Sequence, residues 1–216
     1  MTSRILLDFD GIIFRNRNVH NKITEKSIQF LKSKGNFHSD KYVCYFNSTR
    51  YPIKGHSALI LPKGNTEKAI KEYNDTVFDE PLMHFIRKSV NEDDQRHVRR
   101  ILEIKRTLPS DATFHLCTNT PLRYCEEVMN SLALPLNLLF DTSCSFTSDN
   151  NQVKPQPTFW DSVEKHPYFH NYTNTIELVD DSIVNIVSLK DRARWMTHYI
   201  NNDQNLYYFL KSLKNA

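Results

Sequence analysis

Glycine is scarce in this chain. Only Gly11, Gly35, Gly55 and Gly64 occur in 216 residues, which excludes the Gly-rich loops that cradle phosphate in P-loop and dinucleotide-binding proteins. A surplus of one charge sign is also lacking: 28 Lys plus Arg stand against 25 Asp plus Glu, a formal net charge of +3. So small an excess argues against a nucleic-acid polymer as partner, which calls for a concentrated basic face. No apolar run approaches the roughly 18 residues of a membrane span. The four cysteines, Cys44, Cys117, Cys125 and Cys144, show no CxxC spacing. They fall in or beside apolar stretches, as reduced, packed thiols of an intracellular protein do. A strand is expected from the fourth residue onward, leaving no room for a signal peptide, so a cytoplasmic protein is expected.

What is present is core-forming material: 39% hydrophobic and 12% aromatic residues, sufficient to fill the interior of a chain of this length. Arg4–Asp8 is a short apolar run ending in acidic residues, the pattern of a buried parallel strand. Comparable runs recur at Thr113–Thr118, Leu138–Asp141, Ile176–Asp180 and Trp195–Ile200. Helical patterns separate them at Leu122–Leu132, Thr158–Lys165 and Ile183–Arg194. This alternation predicts an α/β fold, a doubly wound and mainly parallel Rossmann-like sheet, with functional groups at the carboxyl ends of its strands. The stretch 15–106 interrupts the rhythm with helical patterns, among them Ile23–Lys34 with Ile23, Ser27, Phe30 and Leu31 toward one face. The expected organisation is therefore a core of residues 1–14 and 107–216, with a helical insert of residues 15–106 after the first strand.

Three of the predicted strands end in polar groups that can meet. In Asp8-Phe9-Asp10-Gly11, two carboxylates follow a buried strand, which is costly unless a cation or a proton is shared. Gly11 lets the backbone turn sharply, so one aspartate can stay fixed, able to serve as nucleophile and metal ligand, while the other swings above it, able to serve as acid and base. Alone the pair also reads as two aspartates capping a turn. Thr118 and Asn119, after the second strand, offer phosphate donors without adding charge; alone they read equally as a turn before Pro121. Lys154, in Val153-Lys154-Pro155-Gln156-Pro157, is placed to neutralise phosphate or a carboxylate. Asp180 and Asp181 form a further acidic pair, and such oxygen-rich sites select hard cations, Mg²⁺ above all beside phosphate.

These segments, in this order, resemble the haloacid dehalogenase-like superfamily: DFDG its first motif, CTN its second, VKPQP its third, LVDDS its fourth. The resemblance implies Asp8 as the nucleophile of a phosphoaspartyl intermediate and Asp10 as the acid and base that also lends its main-chain carbonyl to Mg²⁺. It further implies Thr118, Asn119 and Lys154 as phosphate ligands and Asp181 as a direct metal ligand, with Asp180 ligating or ordering a bound water. The acidic residue at position 10 favours a phosphatase over a dehalogenase, and the insert 15–106 resembles that superfamily's helical cap over a catalytic core of residues 1–14 and 107–216. More narrowly, Val179–Ile186 and the Asn47–Gly55 stretch are similar to the yeast-type pyrimidine 5′-nucleotidases, which makes Arg50 and Tyr51 candidate substrate contacts in the cap. The expected substrate is thus a small phosphate ester, a pyrimidine nucleoside monophosphate foremost, with a sugar phosphate (phosphatase or mutase) and a catalytically silent binding module as alternatives. Where that family carries a glycine ending a helix, this chain has Arg194-Trp195-Met196, which costs about 1 kcal/mol if φ > 0 is required there. Two features are read as structural. His166 and His170 flank Pro167 in an expected surface loop, and Arg96–Arg100 forms a helix face laced by ion pairs.

Overall fold

The computed structural model describes residues 4–33, 66–150, 152–170 and 174–215. Four strands, β1 (Arg4–Leu7), β2 (Thr113–Leu116), β3 (Ile176–Asp180) and β4 (Trp195–Tyr199), form one sheet in the order β2-β1-β3-β4. Every pairing is parallel. Between β1 and β2 lie α1 (Arg17–Ser33), α2 (Thr66–Val77), α3 (Glu80–Ser89) and α4 (Glu92–Lys105). After β2 come α5 (Leu122–Ser131), α6 (Leu136–Leu139), α7 (Pro157–Lys165) and α8 (Pro167–His170); α9 (Ile183–Val187) follows β3 and α10 (Asp203–Ser212) follows β4. The α/β class expected from the alternation is the one observed.

β1 is central and covered on both faces, so Ile5, Leu6 and Leu7 are fully buried, the reason a parallel strand reads as an unbroken apolar run. Its register pairs Leu7 with Leu116 on one side and with Val179 on the other. The three strands therefore end level with one another. The ladder continues one step further, with Asp8 N–H donating to the Val179 carbonyl and Cys117 N–H to that of Leu7, both at 2.9 Å. That register, rather than any loop, brings the polar strand ends together.

Two expected elements differ. Leu138–Asp141 is not a strand: Pro135 opens the helical turn α6, and only the Asp141 N–H reaches β2, at Phe114 O. A four-residue apolar run carries no period that separates strand from buried helix. The free side of β2 is extended instead by Phe146, bridged to Cys117. The helix after β3 stops at Val187, and the chain reaches β4 through turns. Among the described residues Ala133 is the only non-glycine with positive φ, so Arg194 incurs no left-handed penalty.

Helix α1 starts earlier than its pattern predicts because the Asn16 side chain accepts from the N–H groups of Asn18 and Val19, a cap that satisfies otherwise orphaned donors. Its buried face holds Ile23, Ser27 and Phe30, with Ser27 Oγ 2.8 Å from Tyr73 Oη on α2. One hydrophobic cluster runs from Val19, Phe30 and Tyr73 through Ile101 to Ile5, Phe114 and Leu210. Helix α4 packs on α10; within its basic run, His97 turns inward between the Tyr207 hydroxyl and the Ile12 carbonyl, while Arg96 pairs with Asp93. His170 closes the short helix α8, for which Pro167 supplies a tolerated first residue. Cys117, Cys125 and Cys144 are buried free thiols. No helix among the described residues is long and apolar enough to cross a membrane.

Candidate active site

The turn after β1 explains its glycine. Gly11 has φ +82°, and a Cβ there would lie 2.0 Å from Asp181 Oδ2. Any side chain would both strain the backbone and displace the Asp181 carboxylate. The turn closes through Gly11 N–H to Phe14 O and through the Ile13 and Phe14 N–H groups to Phe9 O. Phe9 anchors it, fully buried with its ring 6.3 Å from Phe14 and 5.9 Å from Tyr124; burying such a side chain contributes about 1.5–3 kcal/mol. Asp8 is thus fixed by the ladder, and its Oδ1 accepts the Phe9 N–H at 2.7 Å.

Lys154 is the hub. Its side chain is 1% exposed, and its Nζ donates to Cys117 O at 2.8 Å, to Asp180 Oδ2 at 2.6 Å and lies 3.1 Å from Asp8 Oδ2. Burial opposes its charge, but the carboxylates of Asp180 and Asp8 outweigh that and raise the lysine above its ordinary range. Asp180 is fully buried and saturated: Oδ1 accepts from Ser182 N–H and Asn185 Nδ2, and Oδ2 from Lys154 and Asn185. The Asn119 amide bonds at both ends to the Lys154 backbone, donating to its carbonyl at 2.9 Å and accepting its N–H at 2.7 Å. Thr118 Oγ1 is 3.0 Å from Thr120 Oγ1. Both Thr118 and Asn119 line the cavity, yet the Asn119 side chain holds the lysine loop in place.

Asp8, Asp180 and Asp181 each bring an oxygen within 4.8 Å of the others, the one such grouping among the described residues suited to a metal ion. Burial pushes Asp8 well up, against Lys154, and the negative charges of Asp180, Asp181 and Asp10 push the same way. Burial, then Asp180, raises Asp181 from 3.8 to about 7. Hard carboxylate oxygens that resist ionisation together fit Mg²⁺. A pH dependence follows. An acid raised on folding binds its proton more tightly in the native state, so the Asp181 contribution to metal-free stability falls as pH rises from about 4 to about 7. Buried His115, lowered to about 4, works the opposite way over the same window, so the Asp181 contribution is read by difference. Asp181→Asn should raise the metal-free Tm more at pH 8 than at pH 5, and added Mg²⁺ should raise the wild-type Tm more at pH 8 than at pH 5. An Asp181→Asn gain no larger at pH 8 than at pH 5 would contradict this charge arrangement.

Asp10 has neighbours that no motif announced. Its Oδ1 accepts from the Tyr124 hydroxyl at 2.8 Å and lies 3.1 Å from His20 Nε2. Burial disfavours a charged His20, yet its bond to Asp10 and the acidic surroundings raise it overall. Both residues sit in the first turn of a helix that faces the strand ends, α1 for His20 and α5 for Tyr124. That placement depends on tertiary packing and leaves no local spacing to recognise. A cavity of about 460 Å³ is lined by Asp8, Asp10, Lys154 and Asp181 together with Ile23, Tyr73 and Phe78. Arg50 and Tyr51 lie outside the described residues.

No protein-family model matches the chain, and no curated protein matches it. Solved structures similar to it include a haloacid dehalogenase-like family hydrolase from Xanthomonas campestris, with 11% identity, 99% of this chain and 96% of that one covered, and a TM-score of 0.45. A protein described as a β-phosphoglucomutase from Thermotoga maritima has 16% identity, coverage of 99% and 97%, and a TM-score of 0.44. One described as a phosphoglycolate phosphatase from Lactobacillus plantarum has 14% identity, coverage of 100% and 84%, and a TM-score of 0.40. At these identities and scores the chemistry of the site rests on the residues of this chain.

Proposed function

We propose that this chain is a Mg²⁺-dependent phosphomonoesterase acting through a phosphoaspartyl intermediate at Asp8. The observation that carries it is the meeting over one cavity of Asp8 and Asp181, at the level ends of β1 and β3, with Lys154 from the turn before α7. A carboxylate of Asp8 attacks phosphorus, the ester oxygen leaves, and Asp10 gives it a proton. Water then attacks the acyl phosphate, Asp10 takes the proton back, and Asp8 is released with inorganic phosphate. Lys154 offsets the negative charge that would otherwise hold Asp8 and phosphate apart. Asp8 and Asp181, with the main-chain carbonyl of Asp10, would hold Mg²⁺, which when bound neutralises the phosphoryl oxygens. Asp180, saturated by hydrogen bonds, serves to fix Lys154, and Asn119 to fix its loop.

The substrate proposed is a nucleoside 5′-monophosphate, a pyrimidine one foremost. The cavity lies within the size range of small-ligand sites, roughly 300–1,000 Å³, and Ile23, Tyr73 and Phe78 give part of its lining an apolar character. A sugar phosphate is the alternative, favoured by Asn21 and Thr24, which also line the cavity. Purified protein assayed with UMP, CMP, AMP, GMP and hexose phosphates should hydrolyse UMP or CMP with the highest kcat/KM. Activity should vanish in EDTA, return with Mg²⁺ and fail with Ca²⁺, whose looser shell misplaces the nucleophile. Hexose phosphates winning the panel would select the alternative; full activity in EDTA, or none on any ester, would overturn the enzyme proposed here.

A further inference from the structure

Asp10 is held asymmetrically. Oδ1 takes two contacts, from Tyr124 and His20, whereas Oδ2 has no hydrogen-bond partner among the described residues, and the side chain borders the cavity. Tyr124 cannot yield its position. It is fully buried at the start of α5, with its ring packed edge-on against Phe9 at 5.9 Å and Phe78 at 5.2 Å. Its hydroxyl donates to Asp10 Oδ1 at 2.8 Å, since a carboxylate oxygen can only accept. A carboxyl oxygen already accepting from fixed donors is the poorer place for a proton, because protonating it sacrifices those bonds. The proton of a neutral Asp10 is thereby directed to Oδ2, the oxygen left free of protein donors among the described residues.

We propose that Tyr124, with His20 as the second donor, is a positioning residue that selects the oxygen from which Asp10 protonates the leaving group. This rests on the acid role of Asp10 given above. The transfer itself is simple: the proton moves from Oδ2 to the departing alkoxide as the phosphorus–oxygen ester bond breaks, and Asp10 is left as carboxylate.

The test compares an alkyl ester, glycerol 2-phosphate, with p-nitrophenyl phosphate, whose phenolate leaves without protonation. The quantity compared is kcat/KM, which reads the step in which the alcohol departs and not the later attack of water, where Asp10 serves both esters alike. In Asp10→Asn the alkyl ester should lose about 10²–10⁴-fold in kcat/KM and the aryl ester far less. Tyr124→Phe keeps the packed ring and should lose about tenfold in kcat/KM on the alkyl ester and less than about threefold on the aryl ester. A selective Asp10→Asn alongside a Tyr124→Phe enzyme that loses both activities equally, or neither, overturns the positioning role. An Asp10→Asn enzyme with no selectivity overturns the acid assignment instead. Should Tyr124→Phe fail to fold by circular dichroism, His20→Gln is judged by the same ratio. A selective loss supports the role, and an unselective one or none refutes it.

Discussion

Asp8→Asn is expected to reduce phosphate-ester hydrolysis by about 10⁴-fold or more, the scale of losing a covalent nucleophile. An amide cannot form the acyl phosphate, yet it fits the space and still accepts the Phe9 N–H bonded to Oδ1. Stability should move the other way. Burial and the neighbouring Asp180, Asp181 and Asp10 hold Asp8 well above the ordinary carboxylate range even with Lys154 opposing them. Its ionised form therefore costs folding free energy at neutral pH, a cost that asparagine lacks. The metal-free variant should melt at or above the wild-type temperature at pH 8 while being inactive. Such a trade of stability against activity marks a residue kept for chemistry. Retained turnover above a small fraction of wild type, with contaminants excluded, would remove Asp8 from the nucleophile's place.

Lys154→Met is expected to be the most damaging single change to the fold. The side chain is nearly isosteric, but the substitution leaves Asp180, with no exposed surface, without its cation at 2.6 Å and Asp8 without the one at 3.1 Å. Breaking a buried pair from one side costs about 3–5 kcal/mol, a large part of the roughly 5–15 kcal/mol that holds a domain together. Urea denaturation should show that loss, and hydrolysis should be abolished together with it. Adding Asp180→Asn to Lys154→Met removes the stranded charge and should recover part of the stability but none of the activity. A single variant within about 1 kcal/mol of wild type would mean that the pair is not the internal ion pair its geometry describes.

The two variants probe parts of the site that differ in how far the sequence announces them. Asp8, Asp10, Asp180 and Asp181 are legible because carboxylates at the end of a buried apolar run are too costly to be accidental. Gly11 is legible as a sharp turn, although its closer constraint, the Asp181 carboxylate against its Cα, exists only in three dimensions. Lys154 is poorly legible in isolation, since most lysines before a helix are solvated. Its burial depends on Asn119 gripping its backbone across 35 positions of chain and on Asp180 meeting its ammonium. The residue types at Asn119 and Asp180 suggest phosphate and metal contacts, but not the bonds both side chains make to Lys154, the amide of Asn119 to its backbone and the carboxylate of Asp180 to its ammonium. Those bonds form because a buried ammonium and a buried loop need their donors and acceptors matched.

By itself, the sequence determined the α/β class, the acidic strand ends and the helical run between the first two strands. Those features are written in local apolar runs and their polar ends, and they need no knowledge of what lies across the sheet. The tertiary structure decided the rest. It set β1 between β2 and β3 in a register that levels three strand ends. It made a helical turn of Leu136–Leu139, where the run Leu138–Asp141 predicts a strand, and gave the edge of β2 to Phe146. It placed Tyr124, 114 positions along the chain, on the same oxygen of Asp10 that His20 approaches. Contacts of this kind join residues whose spacing follows no period. They are fixed by the parallel ladder and by packing of the fully buried Phe9, Phe78 and Tyr124 rings, which no local segment contains.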